Sequence, residues 1–166
     1  MRALAILLLT ATLAACGFQL RGSYALPFNT LHIGVPETAE LHAQIRRNVE
    51  AGSSTKVVST AAEADASLNV LSDRPQKNIL SLDASGRVRE FQLVRTFSFR
   101  VVDAKGNVMI APSQIVIRRD ISFSDALVLS KEAEEVLLWR DIQNDLVQQL
   151  LRRLAAAKPA TIDKAH

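Results

Sequence analysis

The residues able to do chemistry in this chain are few, and most of them are cations. Arg87 and Arg89 follow the turn-forming stretch Asp83-Ala84-Ser85-Gly86, Arg118 and Arg119 stand together, and Lys131 opens a long helical stretch. A guanidinium binds phosphate through two parallel hydrogen bonds, and an ammonium acts as a point charge. Gathered at one end of a sheet, such groups would hold an anionic head group; dispersed, they are ordinary solvated charge. The other candidates carry less. His32, His42 and His166 have no metal-ligand spacing. His32 alternates with apolar strand residues and reads as structural. No serine lies in a Gly-x-Ser-x-Gly turn, and no glycine-rich loop follows a strand to cradle a nucleotide. Glu132, Glu134 and Glu135 cluster near the start of the long helix, where the positive end of its dipole favours acids. With no catalytic nucleophile, metal set or cofactor loop, the chain reads as a binding or structural protein: not an enzyme, and with no cofactor.

The single cysteine has a different setting. Cys16 follows Leu13-Ala14-Ala15, at the end of an uncharged, mostly Ala, Leu, Ile and Thr run over residues 3–14, with Arg2 ahead of it. A charged start, a short apolar run and small residues before a cut describe a secretory signal. The run is shorter than the roughly 20 apolar residues a membrane span needs. A cysteine directly after the small pair makes this resemble a bacterial lipobox. Residues 1–15 would then be removed and Cys16 would carry covalent lipid as the first residue of the mature chain. Several acyl chains on that residue give a stable anchor, which a single chain does not. One cysteine also excludes a disulfide framework and a cysteine-based metal site. The 166-residue chain has 20 basic and 17 acidic residues, a net charge of +3. That is mild and does not point to nucleic acid.

The elements that must position the cations follow from periodicity. Residues 16–28 carry Gly17, Gly22 and Pro27 and read as a tether; 29–157 form one domain; 158–166 read as a disordered tail. Leu31, Ile33 and Val35 alternate with polar residues, as in a half-buried strand. Leu41, Ile45 and Val49 recur every four residues, and Gly52 is placed to end that helix in a left-handed conformation. Leu68, Val70, Leu80 and Leu82 mark a strand that Pro75 bends or confines to an edge. Phe91, Leu93, Phe97, Phe99 and Val101 share one strand face, and Ile115, Ile117, Ile121 and Phe123 make the apolar face of the next strand. Arg95 and Arg119 fall in the apolar register: either the strands bulge there, or the arginines extend past the core edge on their aliphatic stems. Leu138, Ile142, Leu146, Leu150 and Leu154 define the last helix, which ends near Ala156 before Pro159. The predicted fold is α+β: two helices on one face of a four-stranded, mixed, mostly antiparallel sheet, in the order β-α-β-β-β-α.

Three motifs in order resemble one family. "CGFQLRG" supplies Cys16, Gly17, Phe18, Leu20 and Arg21. "GRVREFQL" supplies Gly86, Glu90, Phe91 and Gln92. The stretch from Ala126 and Leu127 to Lys131, Glu132 and Glu134, leading into a long helix with basic residues near its end, is the third, with a one-residue difference in spacing. Together with the lipobox these resemble the LPS-assembly lipoprotein family, LptE. The resemblance implies two helices on a four-stranded sheet. It also implies an outer-membrane lipoprotein, anchored on the periplasmic side, that sits one-to-one inside the LptD β-barrel, supports its assembly and binds lipopolysaccharide. Gly17 after the cysteine is compatible with outer-membrane sorting. The family's link between lipopolysaccharide and basic residues falls on Lys131. It also falls on the turn where this chain has Ala84, with Arg87 and Arg89 a few residues on. The competing reading is an accessory lipoprotein of another envelope lipid-transport complex.

Overall fold

The computed structural model describes residues 25–157. The expected signal segment 1–15, Cys16, the tether up to residue 24 and the tail 158–166 lie outside the described residues. Five strands and two helices follow in the order β1 (Thr30–Gly34), α1 (Glu40–Gly52), β2 (Lys56–Val58), β3 (Ala66–Leu82), β4 (Val88–Asp103), β5 (Val108–Ser122) and α2 (Val128–Ala155). Short 3₁₀ turns stand at Ala61–Glu63 and Asp125–Leu127. The sheet order is β2-β1-β3-β4-β5. β1 is parallel to β2 and β3; β3, β4 and β5 are antiparallel neighbours.

The α+β class and the mixed sheet match expectation, but the strand count is five rather than four. The extra strand, β2, is three residues long and lies at an edge. Three residues show no periodicity, so only pairing reveals it. It is pinned by Lys56 N–H donating to Asn29 O at 2.9 Å and Thr55 Oγ1 donating to Phe28 O at 2.7 Å. A second correction concerns Gly52. It closes no left-handed cap: Ser53 is extended, and its N–H and Oγ both donate to Val49 O, at 2.9 and 2.7 Å. Among the described residues, positive φ occurs at Gly86 and Gly106, one in each hairpin turn.

The core lies between the helices and one sheet face. Leu31, Ile33, Leu68, Leu93, Phe97, Phe99 and Ile115 meet Ile45 and Val49 of α1 and Ile142, Leu146 and Leu150 of α2, all nearly or fully buried. Arg95 and Arg119 occupy this face without a bulge, because Arg95 pairs opposite Ile117 and Arg119 opposite Leu93 in unbroken register. Their stems carry them to the helix layer. Arg95 reaches Gln143 at 3.1 Å while gripping Asp73 at 2.9 and 2.7 Å, and Arg119 pairs with Asp145.

The sheet tapers. β1 pairs with β3 only over Ala66–Asn69, so β1, β2 and α1 all sit at one end. Beyond it, β3, β4 and β5 continue beneath the first half of α2. β3 has 17 residues, a run of roughly 50 Å at about 3.3 Å per residue. Past Leu71 its outer edge is unpaired by any described strand, which is why Pro75 is tolerated: the missing N–H removes no ladder bond.

Candidate ligand-binding site

The thin end carries the predicted cations. There the β3–β4 turn, the end of β5 and the start of α2 come together. Arg87 belongs to the turn itself. Asp83 Oδ1 accepts the N–H groups of Ser85 and Arg87 at 2.8 and 2.9 Å, and Asp83 Oδ2 accepts Arg87 Nε at 2.9 Å. The Arg87 N–H bond holds the Asp83 carboxyl below its ordinary value. Gly86, with φ of 77°, supplies the left-handed residue that this turn requires. Arg87 is therefore partly committed to the turn, with its side chain still 69 % exposed. Arg89 anchors the next connection through its backbone, its carbonyl accepting Phe123 N–H at 2.7 Å.

Lys131 is the best-placed predicted residue. Its side chain is 18 % exposed, and its Nζ donates to Ser122 Oγ at 2.9 Å and Glu134 Oε2 at 2.8 Å. It borders a slot of about 260 Å³ with a floor of Phe91, Ile121 and Phe123 and a wall at Val128. Phe91 and Phe123 meet edge to face at 5.4 Å. Across the slot stands Lys77, which the sequence reading missed. Its Nζ binds Glu135 Oε2 at 2.6 Å and lies 4.2 Å from the Phe91 ring centre. Trp139 Nε1 donates to the other oxygen of Glu135 at 3.3 Å. The signal for Lys77 was its parity with Ile79, which pairs opposite Phe91. The expectation of one cationic cluster is corrected in part. Arg118 and Arg119, adjacent on β5, point to opposite sheet faces, and Arg119 is held by Asp145.

The acidic cluster does not cap the helix start. α2 begins at Val128, with no acid in its first turn and no side-chain cap. Glu132, Glu134 and Glu135 sit past the turn where the dipole acts. Glu134 and Glu135 instead hold the two lysines. The histidines lie elsewhere. His42 is buried on α1, and burial pushes its imidazole below the ordinary value. His32 Nδ1 is shielded and has no hydrogen-bond partner. Among the described residues, no three His, Cys, Asp or Glu side chains converge as a metal site, and no helix is long and apolar enough to cross a membrane.

Fold and site together define a small α+β domain, with an apolar-floored, charge-rimmed slot at one end of a tapered sheet. Residues 28–154 match the family model LptE, Lipopolysaccharide-assembly, and the chain belongs to that family. The LPS-assembly lipoprotein LptE of Pectobacterium atrosepticum is 28 % identical over 145 residues, covering 85 % of this chain and 77 % of the relative. Two solved structures share the fold. An uncharacterized lipoprotein B from Nitrosomonas europaea superposes with a TM-score of 0.73 at 38 % identity, covering 84 % of this chain and 91 % of that one. The rare lipoprotein B from Shewanella oneidensis gives a TM-score of 0.66 at 26 % identity, covering 77 % and 95 %. The resemblance carried by the three motifs is thus borne out at the level of the family.

Proposed function

We propose that this protein is an outer-membrane lipoprotein, acylated at Cys16, that binds lipopolysaccharide and plugs the LptD β-barrel one-to-one. In that position it supports barrel assembly and lipopolysaccharide delivery to the cell surface. The observation that carries the reading is the family match over residues 28–154. Two features of the structure support it. The sheet face opposite the helices presents Gln92, Thr96, Ser98 and Gln114 (Gln92 bonded to Asp120 at 2.9 Å), and a barrel lumen is likewise polar. The thin end brings Lys131 close to apolar side chains, as recognition of lipid phosphates beside acyl chains requires.

Two measurements test this. Photo-crosslinkers placed between residues 87 and 131 should capture an outer-membrane barrel in cells. Capture of periplasmic or inner-membrane transport proteins alone would favour the role of accessory lipoprotein in another envelope lipid-transport complex. Reversal of Lys131, Arg87 and Arg89 to glutamate, singly and together, should weaken lipopolysaccharide binding by the purified protein. Each charge-assisted phosphate contact is worth about 1.5–3 kcal/mol before screening. Unchanged affinity in a folded triple variant would remove these residues from the site.

A further inference from the structure

We propose that the slot at the thin end takes one acyl chain, and that Lys77 acts with Lys131 to fix the phosphorylated head of the same amphiphile. The proposal rests on the lipopolysaccharide reading and adds to it a chain-binding slot and a second cation. Its first support is shape. A slot of about 260 Å³ floored by Phe91, Ile121 and Phe123 is smaller than the roughly 300–1,000 Å³ of pockets for compact organic ligands, and suits part of a single chain.

Its second support is charge placement. Lys77 comes from β3 and Lys131 from α2, so the two ammonium groups border the slot from different layers. Each is oriented by a carboxylate of α2, Glu135 at 2.6 Å and Glu134 at 2.8 Å. Lys77 is also held 4.2 Å from the Phe91 ring centre. Glu132 and Glu135 also line the slot, so a phosphate there reaches the two oriented ammonium groups by replacing Glu135 and Glu134 as their acceptors. The glutamates remain as acceptors for hydroxyl groups of a sugar head.

The third support is the surrounding surface. Ile79, paired opposite Phe91, is 60 % exposed, and Leu127 and Leu129, which flank Val128, are 55 % and 83 % exposed. Single exposed apolar residues are ordinary, but these three lie on the same chain segments as the slot-lining Lys77 and Val128 and add apolar surface beside it. A polar lumen offers these side chains no partner, whereas alkyl chains do.

The sole tryptophan reports on the slot, because Trp139 is bonded to Glu135 in its wall. The mature chain is titrated with hexyl, octyl and decyl phosphate below their micelle concentrations, following Trp139 fluorescence. Inorganic phosphate and octyl glucoside separate head from chain. Affinity should rise about fourfold per added methylene until the slot is filled, and then level off. Inorganic phosphate and octyl glucoside should each bind far more weakly than octyl phosphate. Lys77→Gln should weaken decyl phosphate binding about three- to tenfold, with Lys77→Arg restoring it. Val128→Phe, at the slot wall, should flatten the chain-length dependence. Equal affinity for inorganic and decyl phosphate would overturn the slot. An intact response in Lys77→Gln beside a lost one in Lys131→Gln would overturn the role of Lys77. Lipopolysaccharide binding without any alkyl phosphate binding would refute this proposal alone; absence of both would remove the underlying reading too.

Discussion

Removing either half of the Arg95–Asp73 pair should destabilise the protein, and by unequal amounts. The pair is bidentate, at 2.9 and 2.7 Å, and Arg95 also reaches Gln143 of α2 at 3.1 Å. The Arg95 side chain is 12 % exposed and that of Asp73 28 %. Asp73→Ala strands a nearly buried guanidinium with Gln143 Oε1 as its acceptor. Breaking a fully buried pair costs about 3–5 kcal/mol; the partial exposure here lowers that to about 2–3 kcal/mol. Arg95→Met keeps most of the packing of the aliphatic stem and leaves the more exposed carboxylate to water, for about 1–1.5 kcal/mol. The double variant strands neither group and should be more stable than Asp73→Ala alone. Urea unfolding followed by Trp139 fluorescence measures all four proteins. If Arg95→Met costs as much as Asp73→Ala, or the double variant is the least stable, then the desolvated guanidinium does not dominate this site and the reasoning fails.

Gly34→Ala should cost about 1–3 kcal/mol, because its new Cβ would lie 2.7 Å from the backbone oxygen of Leu68 in a four-residue parallel pairing; thermal unfolding no different from wild type would show that β1 and β3 are less tightly opposed. Asp83 and Asp103 are both held below the ordinary carboxylate value, mainly by the Arg87 N–H and the Asn107 side chain respectively. Their contribution is present above the unfolded-state pKa near 4 and is lost as pH falls through the lower folded values. Asp83→Asn/Asp103→Asn should therefore lose less stability than wild type on acidification, and parallel acid-unfolding curves would contradict this. Cys16→Ala should abolish incorporation of labelled fatty acid and give an uncleaved or soluble form; equal labelling of variant and wild type would end the lipobox reading.

What the sequence disclosed was whatever repeats along it. The apolar rows of β4, β5 and the second half of α2 were legible because each side chain meets the same layer at every period. Leu138, predicted as core, is only partly buried, because α1, β1 and β2 do not extend to that end. β2 was hidden by its length, and the Gly52 cap failed because Ser53 closes the helix with its own side chain. Lys131 could be placed near a helix start from sequence. Its apposition to Lys77 across an apolar floor depends on how α2 crosses the sheet, which no local pattern encodes. The choice for Arg95 and Arg119 likewise needed the strand register, which was settled by continuous pairing.

The taper of the sheet has a consequence for how firmly each part of β3 is held. Ala66–Asn69 is clasped between two strands, while 71–82 has, among the described residues, a strand neighbour on one side only. Amide hydrogens along this one strand should therefore exchange over a wide range of rates: slowest where β1 and β4 both grip it, and fastest toward Leu82. Lys77 and the slot lie on the loosely held stretch. An occupant that bridges β3 to α2 there would slow exchange across the outer half of the strand while leaving the inner half nearly unchanged. One strand would then serve both as a rigid footing and as a compliant gripping tip.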